Sequence, residues 1–355
     1  MQFCVNKFKG KKAKEVMVMK NLNRKFLKVV CSSLLGVVAL LGGIMLSPNF
    51  FARTSAYAAG QVITQEGSLL GVSQKRVYLP DSKTSTQPFT DLVSELVKNK
   101  NIEKNTDGYY ASSDSNVAYT IVFTEPVSQS DSVNWGTDKP FAFDGFTFEA
   151  DQSFANGTML TLTNFPNVKF KNCTFIGKSG VSGMALGTGT VNFENCTFKD
   201  FGGTIISASN SVTFSGKNTF SNNNSGTSAL IDVSAKESNN NYSLIFAAGE
   251  NYKTVFENNI ASNIINTELV TLDMNNVDFI SNAGRIINTT ATAPTLNNVN
   301  IKNNTSIGSV LNLGVGRALN FTDVTLDGNN VSLAPTSGVT NAVIAIEFSG
   351  TIEGK

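Results

Sequence analysis

The sequence predicts an all-β chain: a right-handed parallel β-helix with about 22–23 residues per turn and an N-terminal capping helix. Three observations predict it. A short phrase, close to Asn-x-Thr-Phe, returns at nearly constant spacing through the second half. Apolar residues alternate inside each copy. An isolated amphipathic stripe stands just upstream of the first copies.

The phrase reads Asn172-Cys173-Thr174-Phe175, Asn195-Cys196-Thr197-Phe198, Asn276-Val277-Asp278-Phe279, Asn298-Val299-Asn300-Ile301 and Asp323-Val324-Thr325-Leu326. Looser copies end at Phe220 and Phe256. The anchors are 23, 22, 36, 23, 22 and 25 residues apart. Within a copy, Val168, Phe170, Cys173 and Phe175 fall on one face of extended chain. Asn172 sits at the turn, because its short amide tolerates left-handed backbone. Stacking in register then places Asn195 over Asn172 and Asn298 over Asn276, as amide ladders. Phe175, Phe198, Phe220, Phe256 and Phe279 are expected to form an inward aromatic column. The copies lack the Leu-x-x-Leu-x-Leu pattern of leucine-rich repeats and are too β-rich for helical pairs.

Taken in order, residues 1–58 read as a secretory signal peptide. Lys20, Arg24, Lys25 and Lys28 precede an apolar run from Val29 to Leu46, and Ala56-Tyr57-Ala58 offers a cleavage site after Ala58. Eighteen residues would just span a bilayer. The small residues Ser32, Ser33, Gly36, Gly42 and Gly43, with the Ala-x-Ala site, favour cleavage and leave no membrane span in the mature chain. A start at Met17 or Met19 would make the preceding residues a mis-assigned extension.

Residues 59–116 are the N-terminal segment, polar and weakly patterned up to residue 86. Phe89, Leu92, Val93, Leu96 and Val97 then form a helical stripe, with Pro88 suited to the first position of a helix at about 88–99. An open β-helix end needs a cover. Residues 117–355 are the β-helix, about nine turns. Tyr119–Phe123 is read as its first strand. Phe141, Phe143, Phe146 and Phe148 follow, pointing inward around Asp144-Gly145. The long interval between Phe220 and Phe256 is one period plus an outward loop at Ser234–Asn241. Val343–Phe348 is a strand with nothing downstream to shield its edge.

Chemistry is sparse. The chain has no histidine. That excludes Ser-His-Asp and Cys-His catalysis and His-ligated zinc. Residues 1–58 hold ten of the 28 Lys and Arg residues and one of the 27 Asp and Glu residues. The mature chain therefore carries 18 basic and 26 acidic residues, a net charge of −8. No basic patch for nucleic acid remains. Cys173 and Cys196 lie one period apart, at a distance that permits a disulfide but with side chains of in-register parallel strands aimed the same way; they read as buried thiols, a bridge being the alternative, with Val277, Val299 and Val324 in the same slot.

A polysaccharide-cleaving enzyme would need carboxylates at one outward position of neighbouring turns. Asp273 aligns with Lys169, Asn192, Thr213 and Asn320. Asp278 aligns with Thr174, Thr197, Thr219, Asn300 and Thr325. Asp200 and Asp327 follow anchors whose nearby equivalents are Gly177, Asn222, Asn258 and Ser281. No two acids stack, and Arg285 and Arg317 have no carboxylate at a fixed offset. The reading assigns no catalytic, cofactor-binding or metal residue and no cofactor.

Phe220-Ser221-Asn222-Asn223, Phe256-Glu257-Asn258-Asn259 and Phe279-Ile280-Ser281-Asn282 resemble the Phe-x-x-Asn repeat of the polymorphic outer-membrane proteins of Chlamydia type. Gly202-Gly203-Thr204-Ile205 is similar to their Gly-Gly-Ala-Ile motif. Leu244-Ile245-Phe246, leading to Val255–Asn259, looks like their two-strand phrase. The resemblance covers roughly residues 140–330. It implies a secreted β-helical autotransporter passenger, displayed at the bacterial surface or outer membrane by a C-terminal barrel and used in adhesion. No barrel-like strand array follows residue 350, for which a truncated gene, a secreted fragment or display by another protein is the expected explanation. The expectation is an exported, non-enzymatic, adhesin-like monomer binding a host-cell or extracellular surface ligand. The alternative is a β-helical lyase or glycoside hydrolase acting on an acidic polysaccharide.

Overall fold

The computed structural model describes residues 64–69, 72–79, 88–130, 141–187, 189–235, 242–290, 294–315, 319–332 and 342–348. The signal-peptide reading of residues 1–58 lies outside them. So do Arg317 and most of the Ser234–Asn241 loop. The described residues belong to one unit, Ala58–Lys355.

That unit is a β-solenoid of about eight turns. In one coil the strand Asn167–Lys171 bends at Asn172 into Thr174–Ile176, and the chain then crosses to Val181–Leu186 before the next coil opens at Thr190. The first two strands of each coil join an 18-stranded sheet, and the third joins an 11-stranded one. Neighbouring coils pair in parallel and in register, as Phe175 with Phe198, Phe198 with Phe220 and Phe220 with Phe256. The 36-residue interval is thus a single coil with an insertion. The count is about eight turns where about nine were expected: nine strands stand in the principal path of the second sheet, separated by eight steps. At one strand spacing per step the stack is about 40 Å long.

The bend depends on left-handed backbone. Asn172, Asn195, Asn276, Asn298 and Asp323 have φ of 50°, 54°, 58°, 51° and 52°. Asparagine and aspartate tolerate this region better than other residues with a Cβ. A second left-handed corner, unforeseen in the sequence, follows the anchor by two residues at Asp200, Asn222, Asn258, Ser281 and Asn303. Two such corners per coil let extended chain turn without long loops.

The interior holds two aromatic columns where one was expected. Phe148, Phe175, Phe198, Phe220, Phe256 and Phe279 stack with centroids 4.9, 4.9, 4.6, 4.4 and 4.8 Å apart. Beside them Phe143, Phe170, Phe193, Phe214 and Phe246 form the second column. Within a coil the two rings stand edge to face, at 87° for Phe170 and Phe175 and 78° for Phe193 and Phe198. Stacking along the axis and edge contact across it are both favoured by the ring quadrupole.

Cys173 and Cys196 are buried free thiols. Burial pushes the Cys173 thiol well above its usual range, so it stays protonated and packs as a small apolar group. The same slot holds Val277, Val299 and Val324 further along.

The N-terminal region needs a correction. The segment read as weakly patterned contains an antiparallel hairpin of Thr64–Leu69 and Val72–Tyr78. Its second strand pairs in parallel with Val117–Phe123, so Tyr119–Phe123 is not the first rung. The signal was weak because a strand at the end of the solenoid buries little: only Val77 and Tyr78 of the second strand are buried. Arg76 reaches across to Glu149 with bonds of 2.8 and 3.0 Å. Burial alone would lower the Arg76 guanidinium, but the hydrogen bond and charge of Glu149 outweigh it and raise it.

The helix Pro88–Lys98 buries Phe89, Leu92, Val93 and Leu96, as the stripe predicts. Val97, the last residue of the stripe, is 43% exposed. The Phe89 ring lies 5.2 Å from Phe141 and 5.9 Å from Phe123, and its backbone N–H donates to the buried Gln129 amide oxygen. The helix therefore caps the aromatic core. Deleting residues 59–100 is expected to expose both the Phe123–Phe141 surface and the edge of Val117–Phe123. Light scattering should report association of the variant at concentrations where the parent is monomeric. A monomeric variant would show that neither edge nor core needs this cover.

At the other end, Ala342–Phe348 pairs with Ser309–Val315 and with no further described strand. Val343 and Ile346 are 42% and 41% exposed there.

Candidate functional site

The chain leaves the second left-handed corner through an asparagine that belongs to the Phe-x-x-Asn phrase. In Asn223, Asn259, Asn282 and Asn304 this side chain is buried. Each Nδ2 donates down to an anchor carbonyl: Asn259 to Phe220, Asn282 to Phe256 and Asn304 to Phe279. Each Nδ2 also donates up to the next Oδ1, as Asn259 to Asn282 at 2.9 Å and Asn282 to Asn304 at 3.0 Å. That oxygen in turn accepts the preceding backbone N–H as well. Donors and acceptor are all used, which is the condition for burying an amide cheaply. Phe201 opens the column, its N–H donating to Asn223 Oδ1, and Asn329 continues it.

The expected ladders at the first corner also form. Asn195 donates to Asn172, which donates to Asp144, and Asn298 donates to Asn276. A third ladder lines the outside of the second sheet: Asn312 donates to Asn288, Asn288 to Asn266 and Asn266 to Asp232.

Beyond the buried column the corners of successive coils leave a groove of about 550 Å³ running along the axis. Ala261, Gly284 and Ser306 lie on it, with Ile260 and Ile307 beside them. Ile260 is 49% and Ile307 63% exposed, values unlike the buried isoleucines of the interior. Gly284 has a φ of 126°, and a Cβ there would meet the Ala261 carbonyl oxygen at 1.8 Å. Only glycine allows the close approach that carries the chain straight into Arg285.

Among the described residues Arg285 is the one cation lining the groove. Its Nε donates to Ser309 Oγ and one terminal nitrogen to Asn288 Oδ1, both at 3.2 Å. Those bonds tie the side chain to the outer ladder and leave the rest of its five N–H groups uncommitted. Burial lowers the guanidinium from its ordinary value, with no acidic neighbour raising it back. The residue below it in register, Asn263, keeps a buried Oδ1 without a partner.

The acidic residues do not converge. Asp273 stands between Ile245 and Thr295. Asp278 stands between Val255 and Asn300, bonded by Lys253 at 2.8 Å. Asp327 pairs with Lys302, one position before the corner that holds Asp200, so the alignment that grouped the two is corrected. Among the described residues no three His, Cys, Asp or Glu side chains come together as metal ligands. Sequence reasoning named Arg285 and Arg317 together as having no carboxylate at a fixed offset and assigned neither of them to a site. The groove around it carries no sequence signal, since exposure of Ile260 and Ile307 depends on where the corners fall.

No family model, curated protein or solved structure matches the chain. The likeness to polymorphic outer-membrane proteins therefore rests on the Phe-x-x-Asn phrase, whose asparagine the buried ladder explains.

Proposed function

We propose that this chain is an exported, non-enzymatic, adhesin-like surface protein whose β-helix carries a binding groove. The observation behind this reading is the Arg285 groove: a half-buried cation flanked by exposed isoleucines, with no acid or base aligned beside it among the described residues. Such a surface can hold a partner through charge and apolar contact. The apolar run and Ala-x-Ala site near the N-terminus support export, and the Phe-x-x-Asn phrase supports a passenger displayed at a bacterial surface.

The test pairs binding with turnover. The full chain, labelled, is applied to host cells and immobilised extracellular matrix, and separately incubated with polyuronides with and without calcium. Saturable binding with no unsaturated product and no new reducing ends is expected. Turnover of a polyuronide would replace this reading with that of a polysaccharide lyase or hydrolase.

A further inference from the structure

We propose that the groove takes an acidic, otherwise apolar peptide segment of a partner protein, with a carboxylate on Arg285 and an aliphatic side chain between Ile260 and Ile307. The inference rests on reading the groove as a binding site and specifies what fills it. Charge complementarity gives the carboxylate. Arg285 has uncommitted N–H groups in a fixed planar fork, held by Ser309 and Asn288, and among the described residues no carboxylate pairs with it. Two exposed isoleucines give the apolar part, set diagonally across the groove because Ile260 is in register with Ala283 and Thr305, two residues before Ile307; such surface is stabilised by contact with another aliphatic group.

A peptide fits better than a saccharide. The groove lining has no aromatic ring for a sugar face. Two of its hydroxyls are already spent on backbone carbonyls, Ser306 on Ser309 and Ser332 on Ser306. A second copy of this chain fits poorly, since the mature chain has a net charge of −8 and like-charged bodies repel. The carboxylate has two sources, an Asp or Glu side chain or a free C-terminus, and Arg285 would bind either through the same fork.

The experiment uses two randomised heptapeptide libraries, one with a blocked and one with a free C-terminus. Both are panned on the full chain and, in parallel, on Arg285→Gln, Arg285→Lys and Ile307→Ser. Wild type should enrich sequences with an acid next to Leu, Ile, Val or Met, or in the free library sequences ending on such residues. Replacing that carboxylate by a carboxamide in a selected peptide should weaken binding at least about tenfold. Arg285→Gln should abolish the enrichment, Arg285→Lys should retain part of it, and Ile307→Ser should keep the acid but lose the aliphatic preference. Unchanged thermal unfolding of the Gln variant separates this loss from misfolding, and Arg285→Lys serves if that variant is unstable. Absence of enrichment, enrichment without acids, or the same enrichment on Arg285→Gln would overturn the proposal. So would saturable glycan binding or dimerisation that Arg285→Gln removes. Surface binding without peptide selection would sink the ligand class and spare the adhesin reading. Peptide selection without surface binding would do the reverse.

Discussion

Asn282→Leu is expected to cost about 3–5 kcal/mol of stability, although leucine keeps the branched shape and the number of side-chain heavy atoms of asparagine. The buried Asn259 N–H loses its only acceptor in the ladder, the Asn259 amide loses its upward partner, and the Phe256 carbonyl loses a donor. Each buried group left unmatched costs roughly 1–3 kcal/mol. Asn266→Ala, in the outer ladder, should stay within about 1 kcal/mol, because water replaces the partners it removes. Urea midpoints followed by far-ultraviolet circular dichroism compare the two. Equal shifts would show that burial of the column contributes nothing beyond its hydrogen bonds.

Phe198→Ala should cost about 3–5 kcal/mol by opening a cavity. Phe198 lies 4.9 Å from Phe175 and 4.6 Å from Phe220, nearly parallel to both, and meets Phe193 edge on at 5.3 Å. The neighbouring rings cannot close the gap, since strand hydrogen bonds fix the coil spacing. The loss should therefore fall toward the upper end of that range. Phe198→Leu, which keeps most of the volume, should recover a large part of it. An unchanged midpoint for the alanine variant would place Phe198 outside the cooperative core.

What was legible in the sequence followed from repetition. Phe175 to Phe279 recur because each fills the same interior position, and Asn172 and its equivalents recur because each bends the same corner. The second column was visible only as alternation: Phe143, Phe170, Phe193, Phe214 and Phe246 give way to Met274 and Leu296 at the same register, so the phenylalanine stops short of the last coils. The asparagine of Phe-x-x-Asn was legible as a letter but not as a buried one, because asparagine is more often a turn residue than a core residue. The hairpin Thr64–Tyr78 was missed because a strand at a sheet end has little apolar face to display. The groove was missed because it is made by spaces between corners, and spaces leave no residues behind. Only its cation, Arg285, was named, together with Arg317, for having no carboxylate at a fixed offset.

The buried asparagine column has a consequence for how such a chain can change length. From Asn223 to Asn329 every coil offers the same two oxygen and nitrogen partners to the coil above and the coil below. One complete coil can be lost or duplicated and the faces that meet are still complementary. A gain or loss of a few residues inside a strand breaks both ladders and both aromatic columns at once. Inheritance of this architecture is therefore quantised: the units of variation are the whole coil and the loop outside it, such as the excess between Phe220 and Phe256, while the interior text is copied unchanged.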